Sequence, residues 1–387
     1  VKVLFLHTHY QQSGGEDQVY AAETALLRER GREVVNLTCD NRDLEGLSPW
    51  RQAGLTLWNQ EAYRRVREAI REHRPDLLHV HNTFPLASPA VIHAAKAEGI
   101  PVVMTLHNYR LLCVNALFFR RGRVCEDCLG GLPWHGVFHG CYRDSRPASA
   151  VVAAMLTLHR ALGTWNMVDR FIALTEFAKQ KFIEGGFPPE KISVKPNFVH
   201  PDSGPGEGRG GYALFVGRLS PEKGLGTLLM AWERLGGKVP LKIVGDGPLA
   251  PEVQEAQKRI AGVEWLGRKA PEEVYALMGE ASFLVFPSEW YEGFPKVLAE
   301  AFAKGLPVLA SALGSQGSIV DHGRTGLHFR PSDPEDLVAK VEWLLAHPNE
   351  LARMRKEARA EYEAKYTAEQ NYAQLIAIYH EVLSKRR

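Results

Sequence analysis

The chain has no apolar stretch approaching the roughly 18 residues that cross a bilayer. The richest one, 148–158, is interrupted by Ser149 and Thr157 and stops at His159-Arg160. Nor does it open on a signal-peptide core: the apolar run in VKVLFLHTHY is too short, and no small-residue cleavage site follows. Net charge is nearly absent, Lys+Arg 47 against Asp+Glu 45, which argues against a dedicated nucleic-acid binder. The dinucleotide fingerprint, a G-x-G-x-x-G joining a strand to a helix, is missing from both halves, which argues against a dehydrogenase. Cysteine is scarce: five in 387 residues, four of them between 113 and 141. These absences predict a soluble cytoplasmic protein. Peripheral contact with the inner face of the plasma membrane stays open.

What is present is a repeated alternation. Length alone exceeds the ~250–300 residues of one core, and 45% apolar with 24% charged residues is ordinary globular composition. Buried strands are predicted at 1–7, 33–38, 76–81, 101–107, 170–175 and 191–195. A second series is predicted at 212–216, 241–244, 263–266, 282–286, 307–310 and 327–329. Helical periodicity fills the intervals. Between the series, 201–211 holds five Gly and two Pro, the composition of a flexible linker. Alternating strands and helices predict α/β domains with parallel sheets. The expected organisation is a Rossmann-like domain over 1–200 with an irregular insert at about 110–145, the 201–211 linker, and a second Rossmann-like domain over 212–367. Three helices close the chain, the last at 368–384. Ligands of such folds bind beyond the carboxyl ends of the strands, so functional residues are expected at those positions.

After the first strand, Ser13-Gly14-Gly15-Glu16-Asp17 opens a helix, either as a tight turn or as an anion site at the helix N-terminus. His79-Val80-His81-Asn82 and His107-Asn108-Tyr109 end two further strands and suggest a polar floor. In the second half, Val216-Gly217-Arg218-Leu219-Ser220-Pro221-Glu222-Lys223-Gly224 places two cations on a glycine turn entering a helix, which favours a phosphate. Val244-Gly245-Asp246-Gly247-Pro248 is a second such turn. The strongest signal is Pro287-Ser288-Glu289-Trp290-Tyr291-Glu292-Gly293-Phe294-Pro295-Lys296, continuing to Glu300. Its two carboxylates, Glu292 and Glu300, suit two sets of ligand hydroxyls. The N–H groups of Phe294, Lys296 and Val297 suit an anion between them. Glu300, flanked by apolar residues, is expected to be buried and therefore partnered.

At these residues the chain resembles retaining glycosyltransferases of family 4, which have the GT-B fold: two Rossmann-like domains facing across a cleft. Glu292-x7-Glu300, VGRLSPEKG, VGDGPL and PNFV at 196–199 carry the likeness, with Phe198 where the family commonly has Gly. The resemblance implies that Glu300 holds a nucleotide ribose and Glu292 the donor sugar. Arg218 and Lys223 would bind the diphosphate, with Gly217, Gly247, Phe294, Pro295, Lys296 and Val297 lining the donor site. Gly14 and Gly15 would approach the phosphate from the other domain. His107 would lie beside the reacting sugar, and Asn82 and Asn108 would face the acceptor. Residues 368–387 would return to pack on the first domain. Pro295 departs from the family pattern and removes one N–H donor. The implied reaction moves a sugar from a nucleotide diphosphate, with retention, to a hydroxyl of a glycan or lipid-linked acceptor. No D-x-D pair is present, which argues against a metal-dependent GT-A enzyme and for no catalytic metal. A nucleotide-sugar epimerase and a non-catalytic zinc-bearing binding protein are the rival readings.

Cys113-x11-Cys125-x2-Cys128-x12-Cys141 has zinc-ribbon-like spacing, with His135 and His139 in reserve, and predicts a structural zinc. Arg64, Arg67, Arg71 and Arg74 line one helix face, either simply solvated or able to dock on an anionic membrane.

Overall fold

The structure is a computed structural model and describes residues 1–11 and 14–385. Two six-stranded sheets dominate it. The first contains β1 (Lys2–His9), β2 (Glu33–Asp40), β3 (Leu77–Asn82) and β4 (Val102–Leu106). A small hairpin, β5 (Phe119–Arg120) and β6 (Arg123–Val124), interrupts the series before β7 (Arg170–Ala173) and β8 (Ile192–Val194) complete it. The second sheet contains β9 (Ala213–Val216), β10 (Leu241–Val244), β11 (Val263–Gly267), β12 (Phe283–Phe286), β13 (Val308–Ser311) and β14 (Gly326–Phe329). All pairings within both sheets are parallel.

Helices cover both faces of such sheets, so their strands read as continuous apolar runs. β4 and β12 are buried along their whole length. The pleat then divides each strand between two cores. On β9, Ala213 and Phe215 join Trp232, Ile243 and Leu309 on one face, while Leu214 joins Val244, Leu284 and Phe302 on the other. The twelve predicted strands are all found, with ends shifted by one or two residues. The short helices Pro49–Leu57, Trp134–Phe138 and Gly314–Ile319 were not anticipated.

Strand order places the sites. The first sheet runs β2-β1-β3-β4-β7-β8, and the second β11-β10-β9-β12-β13-β14. Winding direction reverses between β1 and β3 in the first and between β9 and β12 in the second, the position where open α/β sheets leave room for a ligand.

The chain divides into two compact units. One comprises Val1–Phe118, Glu126–Lys195 and the stretch from Asn371; the other comprises Phe119–Cys125 and Pro196–Gln370. In the first, the helix Ala368–Ser384 lends Leu375, Ile378, Tyr379 and Val382 to a core containing Val3, Phe5, Leu77 and Ile172. Among the described residues no helix is long and apolar enough to cross a membrane.

The 201–211 segment differs in character from a flexible linker. The N–H groups of Gly206, Gly208 and Gly210 donate to Lys304 O (2.9 Å), Gly279 O (2.8 Å) and Glu280 O (2.8 Å). Arg359 grips Asp202 at 2.7 and 2.9 Å. A Cβ on Gly206 would stand 2.1 Å from Gly279 Cα, so this glycine serves close backbone approach rather than flexibility. Gly206→Ala is therefore expected to lower unfolding free energy by about 1–3 kcal/mol through overpacking. Urea denaturation checks it; a change within about 0.5 kcal/mol, typical of an exposed linker position, would contradict the packing.

Candidate functional site

In the second unit the chain leaves β9 at Val216 and turns through Gly217, Arg218 and a 3₁₀ turn at Pro221–Lys223 before the helix Leu225–Leu235. Gly224 has φ +71°, and a Cβ there would lie 1.9 Å from Pro287 O. Only glycine lets the loop after β9 press against the loop after β12, the two strands flanking the reversal. That contact carries Lys223 to Glu292, Nζ to Oε1 at 2.6 Å. The same oxygen accepts from Ser288 Oγ (2.6 Å) and Trp290 Nε1 (2.8 Å). The ammonium also stands 5.3 Å from the Trp290 ring centroid, a cation–π distance. Gln316 Nε2 fixes the loop by donating to Ser288 O (3.3 Å) and Trp290 O (3.1 Å). Glu292 is buried and Lys223 partly so, whereas Arg218 is exposed and has no ion-pair partner among the described residues. An ordered carboxylate and an ordered ammonium thus meet at the reversal, with Arg218 exposed on the same loop as Lys223.

The helix Lys296–Ala303 starts beside them. Pro295 is its N-cap, and no side chain caps it, so the N–H groups of Lys296 and Val297 keep the positive end of the helix open to an anion. Phe294 packs at its entrance, against the core that holds Tyr366. Glu300, one turn in, is only partly buried rather than enclosed; Lys296 Nζ lies 3.5 Å away, and Tyr275 donates its hydroxyl at 3.3 Å. Burial and then the Glu300 charge push the Tyr275 hydroxyl well above its usual range. Gly217 donates to Val244 O (3.0 Å), and Asp246 O receives Leu219 N–H (2.9 Å), so Gly217 and Gly247 lie in loops stacked backbone to backbone.

In the first unit the reversal between β1 and β3 is filled by imidazoles. His7 and His9 end β1; His79 and His81 lie on β3; His107 follows β4. The helix Gly15–Glu29 adds Asp17, Tyr20 and Glu23. Asp17 Oδ1 accepts from His7 Nε2 (2.8 Å) and His9 Nδ1 (3.1 Å), and its other oxygen takes Gly14 N–H (2.8 Å). His107 Nε2 lies 3.0 Å from His81 Nδ1. Glu23 pairs with the wholly buried Lys195 and faces His81. Neither Gly14 nor Gly15 has any atom within 4 Å of an added Cβ, so packing does not demand glycine there. Ser13 falls outside the described residues.

Other residues singled out in the sequence have partners within the protein, and one expected cluster does not form. Asn82 acts as a strut: Nδ2 donates to Thr8 O (2.8 Å) and Oδ1 accepts Phe84 N–H (2.9 Å), which ties the end of β1 to the turn after β3. Asn108 is engaged by Glu16 (2.5 Å) and by Arg110 N–H (2.9 Å). Burial raises the Glu16 carboxyl above its usual range. The four cysteines do not assemble a tetrathiolate. The groups of three or more metal-capable side chains whose ligand atoms lie within 4.8 Å, among the described residues, are His7-His9-Asp17 and Glu23-His79-His81. Cys113 Sγ instead donates to Asn115 Oδ1 (3.0 Å), and burial raises its thiol. The arginine face is compensated in place: Arg67 and Arg71 share Glu98 at 2.5 and 2.8 Å, and Arg64 pairs with Glu61.

Sequence reading missed Glu23 and Lys195. The signal for Glu23 was its position: it sits four residues after Val19 and four before Leu27, on the apolar face of its helix.

Comparison with known proteins adds the following. Residues 6–203 match the family model described as Glycosyltransferase Family 4, and residues 203–361 match that of Glycosyl transferases group 1. An uncharacterized glycosyltransferase of Methanocaldococcus jannaschii is 31% identical over 216 residues, 55% of this chain and 60% of that one. Glycogen synthase of Mycobacterium tuberculosis is 34% identical over 299 residues, 75% of this chain and 64% of that one. The chain thus spans less than two thirds of either relative. The crystal structure of HepE from Anabaena in complex with UDP superposes with a TM-score of 0.69 at 18% identity, covering 98% of this chain and 100% of that one, a likeness of fold.

The buried imidazoles generate a pH dependence. Burial lowers His7 to about 4 and holds His79 and His107 well below the usual histidine range. These rings stay neutral in the fold while the unfolded chain takes up protons, so their contribution is complete above pH ~6.5 and is lost as pH falls toward ~4, by up to ~1.4 kcal/mol per histidine per pH unit. The urea midpoint is expected to fall between pH 7.5 and 5.0. An unchanged midpoint would place the rings in water.

Proposed function

The chain belongs to glycosyltransferase family 4, and from that membership we propose that it transfers a sugar from a nucleotide diphosphate to a hydroxyl of a saccharide or lipid-linked acceptor, with retention and without a catalytic metal. The observation that carries the reading is the Lys223–Glu292 pair, held at the strand reversal by Ser288, Trp290 and the Gly224 contact.

Breaking a sugar–phosphate bond leaves charge on the departing diphosphate. Stabilisation that is fixed in advance lowers the barrier, because nothing has to reorganise as that charge grows. Lys223 and the uncapped N–H groups of Lys296 and Val297 are such groups, and the exposed Arg218 adds a cation that can close on the phosphates. Together they do the work a divalent cation does elsewhere, which supports the metal-independent reading. Glu292, an acceptor once ionised, suits sugar hydroxyls. Glu300, partly exposed one helical turn on, suits a ribose. His107 is assigned to the reacting sugar from the family likeness. No side chain is assigned as a covalent nucleophile, so retention would follow from attack on the face the leaving group departs. HepE was solved with UDP, which supports a nucleoside diphosphate as the leaving group. Exposure of Leu132 (52%), Trp134 (51%) and Phe138 (69%) on the insert supports an acceptor with an apolar part.

Glu292→Gln and Lys223→Ala are each expected to lower transfer, or slow donor hydrolysis, by about 10²–10³-fold while the variant still folds, as its circular dichroism shows, at a reduced melting temperature. Full turnover in either variant would overturn the site. UDP or GDP at about 100 times its dissociation constant should stabilise the wild type by ~2.7 kcal/mol; no shift with either would overturn the donor reading.

A further inference from the structure

The first unit encloses a row of titratable side chains that the proposed chemistry leaves unused. It begins at Lys195, whose ammonium is 0% exposed and bonded to Glu23 Oε1. The other oxygen, Oε2, and His81 Nε2 are both buried, neither makes an aligned hydrogen bond, and each has the other as its charged or polar neighbour at 3.3 Å. His81 Nδ1 in turn lies 3.0 Å from His107 Nε2. His79, clamped between Tyr379 OH (2.7 Å) and Thr105 Oγ1 (2.8 Å), walls the row at 4.6 Å between ring centres. The row ends at His107, which is 9% exposed and has no other hydrogen-bond partner among the described residues.

We propose that Glu23 and Lys195, acting through His81, set the tautomer of His107, so that it carries its proton on Nε2 and presents a bare Nδ1 lone pair to a ligand hydroxyl. The ligand's identity as a sugar rests on the transfer reading above; the tautomer does not.

The direction follows from donor and acceptor counting. Glu23 is ionised: burial works against its charge, yet Lys195 and His81 hold its carboxyl well below the usual range. A carboxylate only accepts, so His81 Nε2 carries a proton. The Lys195 charge already balances Glu23, and a second enclosed cation would have no counter-ion. One proton on His81, on the Nε2 that faces the carboxylate, keeps a second cation out of the enclosed row, and Nδ1, 3.0 Å from His107 Nε2, is then an acceptor. His107 Nε2 must then donate, which leaves Nδ1 unprotonated. Glu23, Lys195 and His81 are positioning residues: none meets the ligand, and together they decide whether His107 accepts or donates.

The isosteric substitution Glu23→Gln reverses the row. Lys195 donates, so it retains the amide oxygen and turns the amide NH₂ toward His81 Nε2. His81 then carries its proton on Nδ1 and donates to His107 Nε2, which moves the His107 proton to Nδ1. Nitrogen-15 spectra of the full chain labelled at histidine, near pH 7.5, read this directly; a His107→Gln spectrum identifies the signal. The expected result is a pyridine-type Nδ1 on His107 in the wild type and a pyridine-type Nε2 in Glu23→Gln. In parallel, the melting shift with UDP or GDP should persist in Glu23→Gln, while hydrolysis of UDP-glucose or GDP-mannose, whichever the wild type accepts, should fall by about 10²-fold. A wild-type His107 protonated on Nδ1 overturns the proposal even if Glu23→Gln does not fold. A Glu23→Gln spectrum with the tautomer unchanged overturns the relay, and an inverted tautomer with undiminished hydrolysis overturns its role in ligand handling. If neither nucleotide shifts the wild-type melting temperature, the transfer reading fails, and the spectra still decide the tautomer.

Discussion

Reversal of strand order is the constraint on which the rest depends. A parallel sheet that winds outward in both directions sends the two connections at its centre to opposite faces, and the carboxyl ends of those strands are left without a covering helix. Each of the two sheets has one such place, and each fills it differently. The second sheet answers with a single ordered ion pair and an uncapped helix. The first answers with imidazoles. Loops elsewhere can drift at small cost, but the loops after β9 and β12 cannot, because Gly224 lies against Pro287 with no room for a side chain. Backbone contact there, rather than the attraction of Lys223 for Glu292, sets the spacing between the two charges.

The enclosed Glu23–Lys195 pair raises the matter of cost. Taking two charges out of water is expensive, and well-packed apolar residues of similar volume often give equal or greater stability. Its presence is therefore weak evidence for stability as such. What it does supply is polarity: a chain of imidazoles has no preferred proton direction until one end is fixed. Hydrogen bonds of this kind also demand completeness, since a buried polar atom left unpaired costs ~1–3 kcal/mol.

Much of this was legible in the sequence, for identifiable reasons. Parallel strands are buried on both faces, so FLVF and ALFV announce themselves as uninterrupted runs, and the glycine turns mark where they end. Glu292 and Lys223 were visible because charged residues beside glycines at a strand end have few structural uses. Glu23 was hidden: its partners lie 58 and 172 positions away, at His81 and Lys195, and nothing local distinguishes it from a solvated helix residue except its place among Val19, Leu26 and Leu27. The cysteine spacing misled because intervals along the chain do not fix where the sulfurs lie in space. The glycines of 201–211 misled because composition cannot separate a residue chosen for freedom from one chosen for close contact.

The order in which the chain leaves the ribosome takes on meaning from the helix Ala368–Ser384. Its Leu375, Ile378, Tyr379 and Val382 complete a core begun by Val3 and Phe5. At ~5–20 residues per second, the nascent first unit waits tens of seconds for its final structural element, whereas the second unit, Pro196–Gln370 apart from one small hairpin, has nearly its whole core as soon as it emerges. Biosynthesis thus favours completion in reverse order, the later-made body settling before the earlier one. Throughout that interval the imidazole row stands with His79 still lacking the Tyr379 hydroxyl.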